Sequence, residues 1–276
     1  MSNPLALAGR AALVTGGGSG IGLGSAEALV ADGCSVTVMG RDGDKLEAAA
    51  ARLRDNAPDG VSVVAFAGDV TDEAQVVAAV EASRSVTGRL DICVAAAGDG
   101  TVGPMIATST DEWNRVLAVS LTGVFFTVKH VGAAMVASGG GSIVAVSSLA
   151  GSVTHRWMGP YCVAKAGVDM MVKVTADELG AANVRVNAVA PGIIETGLVS
   201  MITTDTEVGQ SYLREMPISH FGQVSDVAPV IRFLAGPESG HVTGHIIAVD
   251  GGHHLRGGPD YGEFARMMYP DVMENL

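Results

Sequence analysis

The chain has 276 residues, 48% of them hydrophobic, with a mean hydropathy of +0.35 and a formal net charge of −12. That length and apolar content suit one large α/β unit, and acidic residues scattered through the chain make nucleic acid a poor partner. Lys129 and His130 interrupt the longest apolar stretch, and Met1-Ser2-Asn3-Pro4 lacks the basic start of a signal peptide, so the expectation is a cytoplasmic protein without a membrane span.

Ala11-Ala12-Leu13-Val14 reads as a short apolar strand running into Thr15-Gly16-Gly17-Gly18-Ser19-Gly20-Ile21-Gly22, followed by an Ala-rich helix to about Asp32. Glycines between a first strand and a first helix let backbone approach a pyrophosphate, and the helix N-terminus adds partial positive charge. Ser35 to Met39 is a second strand, Asp44 to Leu53 a helix, and Val61 to Ala67 a third strand ending at Asp69-Val70. Thr71-Asp72-Glu73-Ala74 caps a helix running to about Val86.

A carboxylate at the end of the second strand would accept hydrogen bonds from an adenosine ribose and mark NAD. Gly40 stands there instead, followed by Arg41, whose guanidinium suits a 2′-phosphate. Ser19 can add a hydrogen bond but no charge. NADP(H) is therefore expected over NAD(H), with Asp42 as the nearby residue that would reverse the preference by turning inward.

Leu90 to Ala95 is a fourth strand closed by Ala96-Ala97-Gly98, and a helical stretch runs from Asp111 to Met135. A fifth strand ends at Ser147-Ser148, and a helix to about Leu179 carries Tyr161-Cys162-Val163-Ala164-Lys165. The sixth strand, Val184 to Ala190, closes with Pro191-Gly192. A mixed segment from Thr196 to Pro217, a helix from Asp226 to Leu234 and a strand from His245 to Val249 complete the pattern. This alternation predicts a Rossmann-like, doubly wound parallel sheet of about seven strands with helices on both faces, residues 1–276 forming one domain.

In such a sheet functional groups gather at the carboxyl ends of strands, which places Ser148 and Pro191 on one rim. Tyr161 and Lys165, four residues apart on a helix, share a face. A cation beside a phenol favours phenolate and draws its pKa toward neutrality. The three cysteines, Cys34, Cys93 and Cys162, form no CxxC spacing and read as reduced thiols without a catalytic role. No metal site is expected: His253 and His254 are adjacent and would point apart.

Over roughly Gly9 to Gly252 these motifs resemble the short-chain dehydrogenase/reductase family, down to Pro191-Gly192-Ile193-Ile194-Glu195-Thr196 and Val249-Asp250-Gly251-Gly252. The resemblance implies that Tyr161 is the general acid or base, that Lys165 lowers its pKa and bonds the nicotinamide ribose, and that Ser148 polarises the carbonyl. It implies cofactor contacts from Gly16, Gly18, Ser19, Gly20, Ile21, Gly22, Ala95 and Gly98, and from Pro191 and Gly192. Asp69 and Val70 would lie at the adenine, and Ile194 and Thr196 at the carboxamide and phosphate side. Two departures stand out: the family's Asn-Asn-Ala-Gly is Ala95-Ala96-Ala97-Gly98, and the Asn that supports a proton-relay water is Ser120, a shorter side chain that can still hold a water and so keeps the catalytic relay role.

The resemblance also makes Val153 to Met158 a pocket wall, with His155, Trp157, Met158 and, from the mixed segment, Met201 facing the substrate. The apolar residues of that segment suggest a bulky apolar alcohol or ketone. The tail from His253 to Leu276 exceeds what the family usually carries, and its Tyr261, Phe264, Met267, Met268 and Tyr269 call for burial, across a subunit interface for instance. A homotetramer or homodimer is expected. The alternatives are a dehydratase or epimerase on the same scaffold, or a weakly catalytic nucleotide-binding sensor or scaffold.

Overall fold

A computed structural model describes residues 5–197, 206–256 and 260–274. Seven strands form one parallel sheet: β1 (Ala11–Thr15), β2 (Ser35–Gly40), β3 (Val63–Ala67), β4 (Ile92–Ala95), β5 (Gly141–Val146), β6 (Val184–Pro191) and β7 (Ile246–Val249), in the order β3-β2-β1-β4-β5-β6-β7. The chain starts in the middle, winds outward through β2 and β3, then returns to the other side of β1. The switch between β1 and β4 opens a cleft at the strands' carboxyl ends. Register aligns that rim, because Thr15 pairs with both Met39 and Ala95, and Ala95 with Ala145.

Apolar, β-branched runs bounded by glycine or proline explain the strands, and their two-sided burial explains why the runs are continuous. Successive residues of β1 feed opposite faces. Ala12 and Val14 join a core with Leu29, Leu53, Ile231 and Leu234, whereas Leu13 joins one with Val80, Val128 and Val172. The first layer comes from α1 (Gly20–Ala31), α2 (Gly43–Asp55) and, late in the chain, α8 (Val224–Ala235). The second comes from α3 (Glu73–Thr87), α5 (Gly123–Ala137) and α6 (Gly159–Leu179).

Three regions add to or differ from expectation. The helix read as continuous from Asp111 to Met135 is α4 (Thr110–Leu117), a π-helical turn over Ala118–Thr122, and then α5. The wider turn accommodates a buried contact of Ser120, described below. The mixed segment contains α7 (Glu207–Glu215), and the tail forms the short helices α9 (Gly262–Met268) and α10 (Pro270–Met273). Tyr261, Phe264, Met267, Met268 and Tyr269 all remain exposed there, so the chain itself does not bury them.

Candidate active site

The glycine loop is shaped by close approach. Gly16 adopts φ +67°, and a Cβ on it would come within 2.9 Å of the Ala96 carbonyl; a Cβ on Gly22 would lie 2.3 Å from the Gly16 oxygen. Only hydrogen fits at either place, so the loop packs against the end of β4 and leads straight into α1. Ser19 is the N-cap of α1, yet its hydroxyl caps none of the helix amides, and no acidic side chain occupies the first turn. Uncapped amides at a helix N-terminus bind phosphate oxygens well. Thr196 leans over this loop, where a Cβ on Gly20 would meet its methyl at 3.3 Å. A nicotinamide dinucleotide's pyrophosphate fits this cradle.

At the end of β2, Arg41 is exposed. Asp42 is turned to α2, capping it by accepting the Lys45 N–H at 3.0 Å. Lys45 itself was not singled out in the sequence; its chain lies beside Gly18, where a Cβ would meet it at 3.8 Å. Asp69 is tied back by Thr71 N–H at 2.9 Å, and its own N–H donates to Gln75 Oε1 at 2.8 Å. Three expected cofactor contacts have core side chains: Val70 packs on Gly123, Ala95 is 1% exposed, and Ile194 is buried beside Gly222. Those positions can offer a ligand only main chain, and the rim after β4 falls to Ala96, Ala97 and Gly98. Pro191 ends β6, and Gly192 packs against Asp250, with its N–H bonded to the Val249 carbonyl at 3.0 Å.

Tyr161, Lys165 and Asp169 descend one face of α6 in steps of four residues. Lys165 is 3% exposed; its ammonium stands over the Tyr161 ring, 5.6 Å from the ring centre, and donates to the Val146 carbonyl at 2.8 Å. Burial lowers the Lys165 pKa to about 8, and Asp169 opposes that shift. Asp169, missed in the sequence, accepts from the buried Ser147 hydroxyl at 2.5 Å, and burial raises its carboxyl pKa. Contrary to expectation, the Tyr161 phenol is not drawn down: burial raises its pKa, and the Ser148 hydroxyl offsets only part of this. Ser148 has extended backbone; its oxygen accepts the Ala150 N–H at 3.1 Å, and its hydroxyl is hydrogen-bonded to the Tyr161 phenol.

Ser120 is fully buried and already engaged. Its hydroxyl donates to the Asp99 carbonyl at 2.6 Å and accepts the Asp99 N–H at 2.8 Å. Its proton and one lone pair are therefore spent on a backbone clamp that the relay role did not anticipate. Arg115 holds the same loop, pairing with Asp99 and donating to the Gly100 carbonyl at 3.0 Å. Gly98 lies between Ser120 and Lys165, and Gly100 flanks the Tyr161 ring, where a Cβ would sit 3.5 Å from it.

On the substrate side, Met158 lies near Gly100, and its strand-like bridge to Gly103 joins the two loops. Trp157 has a φ of +73° and is more than half exposed. His155 lies beside Tyr212 and His253, neither of which any local sequence signal connects to it. His254 turns the other way, onto Asp250, from a tight turn rather than an extended segment. Met201 lies outside the described residues. Among those residues, no group of three or more His, Cys, Asp or Glu gathers as metal ligands.

Residues 16–254 match the family model described as enoyl-(acyl carrier protein) reductase. The chain is 36% identical over 250 residues to galactitol 2-dehydrogenase (L-tagatose-forming) of Cereibacter sphaeroides, covering 90% of this chain and 96% of that one. It is 38% identical over 249 residues to cis-4-hydroxycyclohexanecarboxylate dehydrogenase of Sinomonas cyclohexanicum, covering 90% and 98%. The structure of a short-chain type dehydrogenase/reductase from Mycobacterium ulcerans superimposes with a TM-score of 0.89 at 40% identity, covering 98% of this chain and 99% of that one.

Proposed function

The chain belongs to the short-chain dehydrogenase/reductase family, and from that premise we propose that it interconverts a secondary alcohol and its ketone using NADP(H) in preference to NAD(H). The observation that carries this reading is the convergence of Ser148, Tyr161 and a buried Lys165 beside the rim that bears the glycine loop. The similar galactitol and hydroxycyclohexanecarboxylate dehydrogenases are named for substrates bearing hydroxyls on carbon, in keeping with it.

When bound, the dinucleotide supplies or accepts the hydride. Tyr161, kept protonated by burial, gives its proton to the carbonyl oxygen in reduction and recovers it in oxidation. Ser148, hydrogen-bonded to Tyr161, can turn its proton to the same oxygen and polarise the carbonyl. One Lys165 donor is spent on Val146; the remaining two can hold the ribose hydroxyls, and the ammonium favours the phenolate that Tyr161 becomes as it gives up its proton. Arg41 would pair with the 2′-phosphate, and the commitment of Asp42 to capping α2 supports the NADP(H) preference.

The protein is read as cytoplasmic: all three cysteines are free, and burial pushes the Cys93 thiol up to about 12. A homotetramer or homodimer is supported by exposed Phe125 and Val136 on α5 and by Val163, Met170 and Val174 on α6. The decisive experiment follows the reduced-nicotinamide absorbance with both cofactors over a panel of ketones and alcohols. Stoichiometric cofactor turnover with NADPH preferred is expected. Substrate conversion without net cofactor change would indicate a dehydratase or epimerase. Cofactor binding without any conversion would indicate a sensor or scaffold.

A further inference from the structure

Three rings from distant parts of the chain meet beside Tyr161. His155 comes from the loop before α6, Tyr212 from α7 and His253 from the turn after β7. Their centres are 5.9 Å (His155 to Tyr212), 6.1 Å (His155 to His253) and 5.5 Å (Tyr212 to His253) apart, the last pair nearly perpendicular at 85°. His155 shares its loop with Met158, which meets the Tyr161 ring across Gly100, where a Cβ would lie 3.5 Å from the ring and 3.9 Å from the Met158 methyl.

Hydrogen bonds hold the segments that carry the rings. His155 Nδ1 lies 3.0 Å from the Val153 carbonyl, and the His155 carbonyl accepts the Met158 N–H at 3.0 Å. The His253 N–H donates to the Asp250 carbonyl at 3.1 Å, and the Ile218 N–H bonds to Gly251 at 2.9 Å, tying the chain beyond α7 to the same turn.

The hydrogen-bonding inventory is incomplete. A neutral imidazole has one donor and one acceptor nitrogen. A proton on His155 Nδ1, directed at the Val153 carbonyl, leaves Nε2 as an acceptor. His253 Nδ1 is buried and has no hydrogen-bond partner among the described residues. Such a group is costly unless something supplies the missing bond. We propose that His155, Tyr212 and His253 form a hydroxyl-binding wall that selects alcohols and ketones bearing a second hydroxyl close to the reacting carbon.

This inference rests on the oxidoreductase reading and deepens it. Burial, with His155 adding to it, holds His253 below the usual imidazole range, so it stays neutral and accepts. Burial and then Tyr161 push Tyr212 up to about 12, so it stays a phenol and donates. The charged groups facing His253, apart from the other histidines, are Asp250 and Glu215. That balance matches a neutral hydroxyl and disfavours a carboxylate. The expected apolar pocket of Met158 and Trp157 thus gains polar groups, from His155 on the same loop and from Tyr212 and His253 beside it.

The test uses the holoenzyme and three substrates on one ring: cyclohexanol, 1,2-cyclohexanediol and 2-hydroxycyclohexanecarboxylate. The diol should lead in kcat/KM by at least about tenfold, the scale of a modest pocket contact. Tyr212→Phe and His253→Phe should collapse the diol-to-cyclohexanol ratio toward one, mainly through KM. His253→Gln, which can still hydrogen-bond, should retain much of the ratio and shows that the loss is not misfolding. Equal rates for diol and cyclohexanol, a lead for the carboxylate, or an unchanged ratio in both Phe variants would overturn the wall. Failure of every alcohol and ketone with either cofactor would overturn the oxidoreductase reading beneath it.

Discussion

Lys165 and Arg41 both place a cation at the cleft, and the protein builds the two places in opposite ways. Lys165 is almost fully buried, bonded to Val146, with Asp169 and Ser147 beneath it. Arg41 is exposed and engages no hydrogen-bond or ion-pair partner among the described residues. A buried charge loses solvation before any ligand arrives, so changing it alters the protein as well as the chemistry. An exposed charge stays hydrated until a phosphate comes, so changing it alters only which ligand is preferred.

The largest expected effect lies at the buried end. Tyr161→Phe should lower turnover by roughly 10²–10⁴-fold while cofactor affinity, read by fluorescence titration, stays nearly intact. Wild-type turnover in that variant would remove chemistry from the α6 face altogether.

Next comes the cost of burying Lys165. Its folded pKa of about 8 lies below the ordinary 10.5, so between those values the unfolded chain holds the proton more tightly. Stability of the cofactor-free protein should therefore rise as pH climbs through that window, by an amount on the order of 3 kcal/mol. Urea unfolding at several pH values should show the rise in the wild type and a flatter curve in Lys165→Met. Parallel curves would mean that Lys165 is better solvated than its burial implies.

At the exposed end the effects shrink and become selective. Arg41→Ala should weaken NADPH by about ten- to a hundredfold, from a charge-assisted contact worth roughly 1.5–3 kcal/mol. NADH binding should barely change. Tighter binding of NADH than of NADPH by the unmutated protein would defeat the assignment. Lys45→Ala is the smallest perturbation: a solvated cation beside the loop, worth about 0.2–1 kcal/mol toward NADPH, with its effect lost at high salt. A salt-independent loss would show that Lys45 is bound more closely than its exposure suggests.

The sheet was legible because its strands are short, two-sided apolar runs ended by Gly or Pro, as Leu13 and Val14 illustrate by feeding opposite cores. The face shared by Tyr161 and Lys165 was legible for the same reason of period. Asp169 continues that period, but its burial depends on the approach of Gly151, a contact between elements. Ser120 looked like a weaker relay residue because periodicity cannot register a π turn or a bond to Asp99. Tyr212 and His253 left no local trace at all, since folding alone brings them to His155.

The π turn over Ala118–Thr122 also makes residue count matter. Helical positions advance by about 100°, so a chain one residue shorter there would restore a regular helix and swing α4 by roughly that angle against α5. Arg115 would be carried away from Asp99 and Gly100, and a neighbour would inherit the place of Ser120 behind Gly98. A single deletion that looks harmless by helix propensity would thus dismantle one wall of the cleft while sparing the sheet. Along this stretch, spacing between Gly98 and Gly123 is as much an inherited part of the cleft as any side chain.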